Sequence, residues 1–234
     1  MIEDISLNLK LLESVIDKLG SLAEEMVFLG GCSTEILITD RAASPIRNTI
    51  DVDVIVDLTS MPAYYELSDK LRTLGFSEDM AEGAPLCRWK SGEMLLDVMP
   101  VSSKLLGFGN IWYEEALENA LLIELPSGRK IRLITAPYFL GTKLEAFKGR
   151  GEGDYFASHD LEDIIALIDG RSELVNEVSR SRESLRVYLE DEFSALLKDP
   201  RFIESVSGHL PPDDVSQARL PLIIERVRKI AGQS

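Results

Sequence analysis

Residues 28–34 read FLGGCST and residues 51–57 read DVDVIVD, with nineteen residues between the second glycine and the first aspartate. The first stretch closes an apolar run, EMVFLGG, which reads as a short buried strand ending on glycine. A strand–Gly-Gly–helix turn lets the backbone approach a ligand closely, and the start of a helix offers N–H groups to an anion. The second stretch alternates β-branched and acidic residues, the pattern of a strand. Its alternation puts Asp51, Asp53, Ile55 and Asp57 on one face, and Val52, Val54, Val56 and Leu58 on the core face. Asp51 and Asp53 are then about 6.5–7 Å apart along the strand. Like charges at that spacing raise each other's pKa unless a cation lies between them, and carboxylate oxygens suit Mg²⁺. Alone, a D-x-D pair also fits the solvated edge of a strand, and a Gly-Gly pair also fits a plain tight turn. Together they predict a phosphate cradle beside a metal site.

Working outward, residues 7–19 carry Leu9, Leu12, Val15, Ile16 and Leu19 at helical spacing. A short helix is predicted over 33–39 and a longer one over 62–74, with Pro62 in its first turn. LCRWK and EMLLDVMP flank Ser91-Gly92, and LLIEL and KIRLI flank PSGR, which predicts two hairpins. Asp97 interrupts the apolar run of EMLLDVMP. A charge there is unfavourable unless it is paired or ligated, so Asp97 is the candidate third carboxylate; an edge-strand aspartate facing water is the plainer alternative. From Ala136 the pattern changes to long helices, predicted over 136–148, 158–169 and 174–198.

The 234 residues suffice for one large domain or two small ones. At 45% hydrophobic and 28% charged the composition is that of an ordinary globular chain. Cys32 and Cys87 are too few for a disulfide framework or a zinc site. No apolar run is long enough for a bilayer, and the acidic opening MIEDISLNLKLLE is unlike a signal peptide. A cytoplasmic protein without a membrane partner is expected. The net charge of −15, from 25 basic and 40 acidic residues, argues against broad charge-driven binding to duplex nucleic acid. Basic residues gather locally at Lys143, Lys148 and Arg150.

The ordered set GGCST, DVDV and LLDV resembles the nucleotidyltransferase fold of the polymerase-beta superfamily. Arg47 and Thr49 in RNTIDVD extend the likeness to the AbiEii/AbiGii toxin group, as do APYFLGTKLEAFKGRG and SHDLEDI. The resemblance covers roughly residues 27–170. It implies an α+β fold: a mixed sheet with flanking helices in residues 1–135 as the catalytic domain, and a C-terminal helical bundle in 136–234 completing the active site. It implies transfer of NMP from an NTP to an acceptor hydroxyl. Asp51, Asp53 and Asp97 would hold Mg²⁺ or Mn²⁺, Gly30, Gly31 and Ser33 would line the phosphates, and Thr49 would donate to a phosphate oxygen. Lys143 would neutralise triphosphate charge, and Asp160 would act as a base or as its partner. The acceptor would be tRNA or another RNA, with an antitoxin protein as a further partner. A small aminoglycoside-like acceptor, or a non-catalytic nucleotide-binding module, are the alternatives. Read without the resemblance, Lys143 is a surface lysine on an amphipathic helix and Asp160 a first-turn acid behind the N-cap Ser158. KGRGEGD is either a connector or a mobile loop that meets the acceptor. An RNA acceptor requires a basic groove, for which Arg47, Lys143, Lys148 and Arg150 are the candidates.

Overall fold

The computed structural model describes residues 6–149, the backbone of Arg150, and residues 153–233. The Arg150 side chain, and Gly151 and Glu152 of the glycine-rich connector, lie outside the described residues. Those described fall into two compact units, one within Met1–Glu35 and Arg47–Thr135, the other within Ile36–Ile46 and Ala136–Ser234.

The first unit runs α1 (Leu7–Leu19), a 3₁₀ segment (Gly20–Glu25), β1 (Met26–Leu29), the start of α2 (Gly31–Leu37), β2 (Asp51–Val56), α3 (Met61–Thr73), β3 (Ser77–Glu78), β4 (Arg88–Ser91), β5 (Met94–Pro100), α4 (Ser103–Leu106), α5 (Tyr113–Glu118), β6 (Leu121–Glu124) and β7 (Lys130–Leu133). The strands form one mixed sheet in the order β3-β4-β5-β2-β1-β7-β6. Here β2 is parallel to β5 and antiparallel to β1, while β1 is parallel to β7. Both expected hairpins form, β4–β5 and β6–β7. Ser6 caps α1 by accepting from the Leu9 N–H, and Leu12, Val15, Ile16 and Leu19 form its buried stripe. That stripe covers β2 and β5.

All four residues of β1 are buried, as its unbroken apolar run requires at an interior position. The strict alternation expected of β2 holds only at its start. Val52, Val54 and Val56 face the core, but Ile55 is fully buried too, because that end of the strand is covered on both faces. Asp57 falls beyond the strand. Only Asp51 and Asp53 therefore occupy the partly open end. β5 lies between β4 and β2, so Asp97 is not the water-facing edge residue that its sequence also allowed.

The second unit holds α6 (Ala136–Arg150), α7 (His159–Gly170), α8 (Leu174–Ser179), α9 (Glu183–Leu196), α10 (Pro200–Gly208), α11 (Asp214–Gln217) and α12 (Leu220–Ile230). Its core joins Phe139, Leu140 and Leu144 of α6 to Ile164 and Ile168 of α7, Leu189 and Phe193 of α9, and Ile223 and Val227 of α12. The single helix expected over 174–198 is two. The N–H groups of Arg180 and Ser181 turn to the carbonyls three residues back, and the Ser181 hydroxyl takes the Glu177 carbonyl, which stops the α ladder.

Residues 36–46 belong to this unit although the flanking chain belongs to the first. Long-range polar contacts hold them there. The N–H groups of Thr39 and Asp40 both donate to the Gly170 carbonyl at 2.9 Å. Arg171 donates to the Leu37 carbonyl at 2.6 Å, and Arg219 joins Asp40 at 2.7 Å and Asp169 at 2.5 Å. A Cβ on Gly170 would come within 2.7 Å of the Ile38 side chain, so the close approach needs glycine.

Candidate active site

Sheet register gathers the candidate carboxylates. Asp53 lies directly opposite Asp97 across the parallel β2–β5 pair, and Asp97 lies opposite Arg88 across the β4–β5 hairpin. Directly opposed residues share a face, as do Asp51 and Asp53, so three carboxylates and one guanidinium meet on one side of the sheet. Asp97 is 6% exposed. Arg88 meets it in a two-pronged pair, Nε to Oδ1 and Nη2 to Oδ2, each 2.8 Å, and the same Nη2 reaches Asp51 Oδ2 at 2.7 Å. These bonds, with Asp97 foremost, raise the pKa of Arg88 further above its already high range, so its charge is permanent. Thr49 Oγ1 donates to Asp51 Oδ1 at 2.8 Å, so this hydroxyl orients a carboxylate.

The glycine turn abuts the same carboxylates. Gly30 has φ +76°, and a Cβ there would lie 1.8 Å from Asp53 Oδ2. Glycine is thus required twice, by the backbone and by the carboxylate pressed against it. A Cβ on Gly31 would lie 3.1 Å from Thr49 Cβ and 3.2 Å from Arg47 Nη2, which places the Arg47 guanidinium at the turn. The Ser33 N–H is used within the turn, donating to the Gly30 carbonyl at 3.1 Å. The Ser33 Oγ and Thr34 Oγ1 that follow the turn are buried with no hydrogen-bond partner.

Two residues essential to this layout escaped the sequence reading. Asn8 of α1, 2% exposed, takes the Thr49 N–H on its Oδ1 at 2.9 Å and donates from Nδ2 to the Arg47 carbonyl at 3.0 Å, fixing the backbone that leads into Asp51. Nothing in its local sequence marks it. Arg88 is the other, and its signal was present: a charged residue inside LCRWK, opposite the charged residue inside EMLLDVMP. Cys32, between Gly31 and Ser33, sets its thiol against the Asp51 carbonyl at 3.4 Å. Burial, with Asp53 and Asp51 adding to it, drives its pKa far up, so it is a neutral packing group and not a nucleophile.

A hard divalent cation suits this donor set in chemistry: three carboxylates on one face, two already sharing one cation, beside orphaned hydroxyls. As the side chains stand, no group of three or more His, Cys, Asp or Glu among the described residues is gathered to hold a metal ion. Arg88 fills that role for Asp51 and Asp97.

Lys143 and Asp160 lie in the second unit. Lys143 is buried, not a surface lysine: its Nζ meets Asp163 Oδ2 at 2.7 Å and Asp160 Oδ1 at 3.3 Å between α6 and α7. Ser158 caps α7 as expected, accepting from the Leu161 N–H. Lys148 is bonded to Glu192 at 2.7 Å and Glu145 at 3.2 Å. His159 is exposed and pairs with Glu162. No described helix is long and apolar enough to cross a membrane.

No family model matches the chain, and no curated protein matches it. Among solved structures it is similar to an antigenic nucleotidyltransferase-like protein from Paracoccidioides brasiliensis, at 21% identity and a TM-score of 0.49, over 86% of this chain and 92% of that one. It is also similar to the antibiotic-resistance factor ANT(2'')-Ia, at 16% identity and a TM-score of 0.46, over 81% of this chain and 95% of that one.

Proposed function

We propose that this protein is a metal-dependent nucleotidyltransferase that moves NMP from an NTP to an acceptor hydroxyl. The observation carrying this reading is the carboxylate face itself, Asp51 and Asp53 on β2 with Asp97 directly opposite Asp53, closing on Gly30. Interior strands seldom carry three aspartates, because a buried charge must be paired or ligated. Mg²⁺ or Mn²⁺ bound there would neutralise triphosphate charge and acidify the acceptor hydroxyl. The protein's own contributions are positional. Thr49 aims Asp51, Gly30 lets Asp53 sit against the turn, and the Ser33 and Thr34 hydroxyls are donors without partners, suited to phosphate oxygens. In the reaction the acceptor oxygen forms a bond to the α-phosphorus, the bond to pyrophosphate breaks, and the acceptor proton passes to a carboxylate of this face.

The R-x-T-x-D-x-D order of Arg47, Thr49, Asp51 and Asp53 makes an RNA acceptor and an antitoxin protein one version of this reading. Charge favours the other, a small polycationic acceptor of aminoglycoside type. RNA needs concentrated cations on an acidic chain. Lys143 and Lys148, two of its candidates, are each held by a pair of carboxylates. The test is purified protein with Mg²⁺, each labelled NTP, and either total tRNA or an aminoglycoside panel. We expect label on an aminoglycoside, lost in Asp51→Ala. Label on RNA alone would select the toxin-like version, and label on neither would defeat the enzymatic reading.

A further inference from the structure

We propose that Arg88 is a built-in competitor for the metal, holding the carboxylate face closed until nucleotide and metal arrive together. This inference rests on the metal-binding reading above. Arg88 occupies both oxygens of Asp97 and one of Asp51, and Thr49 occupies the other oxygen of Asp51. Nη2 by itself bridges Asp51 Oδ2 and Asp97 Oδ2, the place a metal ion shared by those two carboxylates would take, so such an ion competes with the guanidinium for that position. Arginine suits this role better than lysine, because its planar fork spans two carboxylates and it cannot deprotonate to leave.

The strand beneath it is held on both edges, while the side chain borders solvent. Cys87 and Trp89, on either side, are buried at 3% and 1%, and β4 is paired on both edges. The Arg88 side chain is 17% exposed and that of Asp51 23%, so the bridge between them borders solvent. A swing about the side-chain torsions opens the carboxylates without moving the sheet. Lys90, two residues on along the same face of β4, is not a second counter-ion for the cluster, since it pairs with Asp79 at 3.0 Å. Once displaced, the guanidinium is a cation beside a site meant for a polyphosphate, which is the partner it matches next. Metal and nucleotide binding are thereby coupled. The ion alone must replace the two charge-assisted bonds of Nη2, whereas ion plus nucleotide gives Arg88 a replacement anion.

The experiment is a Mn²⁺ titration followed by electron paramagnetic resonance, on wild type and Arg88→Gln, with and without a non-hydrolysable NTP analogue. We expect Arg88→Gln to bind Mn²⁺ at least tenfold more tightly than wild type without nucleotide. We also expect the tightening of Mn²⁺ binding by the analogue to shrink severalfold in the variant. A folded Arg88→Gln whose Mn²⁺ affinity is unchanged or weaker would overturn the role of Arg88 and leave the metal site standing. Absence of Mn²⁺ binding in both proteins, even with the analogue, would overturn the metal reading and this inference with it. If Arg88→Gln does not fold in EDTA, Arg88→Lys carries the test. Lysine keeps the charge but cannot span both carboxylates, so Mn²⁺ affinity between that of wild type and tenfold tighter is expected, and affinity equal to wild type would overturn the proposal.

Discussion

Each unit contains a cluster in which one cation sits between two aspartates. In the first, Arg88 joins Asp97 and Asp51 across strands β4, β5 and β2; in the second, Lys143 joins Asp163 and Asp160 between helices α6 and α7. The formal charges are the same and the settings are not. The side chains of Lys143, Asp160 and Asp163 are 10%, 5% and 4% exposed, while Arg88 and Asp51 are 17% and 23%. The helical cluster is nearly closed to solvent, so removing one partner leaves an uncompensated buried charge. The sheet cluster borders solvent, has Asp53 alongside, and abuts a glycine turn with orphaned hydroxyls. Access and neighbours, not the triad of charges, distinguish the two clusters.

The largest effect that would break this contrast is on chemistry. Asp51→Ala should lower transfer by about 10²–10³-fold, the scale on which removing a principal electrostatic contact acts, with the circular dichroism spectrum and urea midpoint close to wild type. Loss of fold in that variant would make the sheet cluster structural as well. Next is stability in the helical cluster. Lys143→Met leaves two buried carboxylates without their shared ammonium, and breaking a buried pair from one side costs about 3–5 kcal/mol. Combining it with Asp160→Asn and Asp163→Asn should recover part of that loss, because the uncompensated charges are gone. Urea unfolding measures both. Arg88→Gln, nearer to solvent, should lose less than Lys143→Met. The reverse order would mean that exposure does not rank the clusters.

Gly30→Ala comes third. The new Cβ would meet the Asp53 carboxylate on a backbone at φ +76°. Strain of this kind costs about 1–3 kcal/mol, and the side chain that yields is Asp53. A modest fall in the urea midpoint together with a large fall in transfer is therefore expected. Gly20→Ala, also at positive φ but with open space around it, should share the fall in stability and keep activity.

Much of the sheet cluster was legible because strands write their faces in sequence. The alternation of DVDVIVD puts Asp51 and Asp53 together, and an aspartate inside EMLLDVMP demands a partner. Register was the hidden variable. A turn centred on Ser91-Gly92 would set Arg88 opposite Leu95. The observed turn is one residue later, pairing Ser91 with Met94, with Gly92 at φ +59°, and this brings Arg88 to Asp97. The burial of the helical cluster was not legible for a different reason. Lys143 sits beside Leu144 on an amphipathic pattern that allows exposure, and its burial depends on Asp160 and Asp163 of another helix. The same holds for residues 36–46, whose place in the second unit rests on Arg219 reaching Asp40 and Asp169. Periodicity carries no record of contacts that distant.

The smallest predicted effect concerns the two thiols of the sheet unit. Cys87 is next to Arg88 yet is 3% exposed, and burial, reinforced by Asp97, pushes its pKa up to about 12; Cys32 is pushed up for the same first reason. Both are protonated in the folded protein at pH 8, so Ellman's reagent should find no reactive thiol in the native protein and two after denaturation. The sign of the linked stability follows from the unfolded value near 9. Below that pH both states hold their protons and the contribution is fully present. As pH rises from 9 toward 12 the unfolded thiols ionise first, and that contribution is lost. A Cys32→Ala, Cys87→Ala protein should therefore show a shallower decline in urea midpoint across that window than wild type, whatever its offset from lost packing. Rapid native labelling at pH 8, or equal slopes for the two proteins, would mean that water reaches the thiols flanking the carboxylate face. The sheet cluster would then be far more open than its contrast with the nearly closed helical cluster implies.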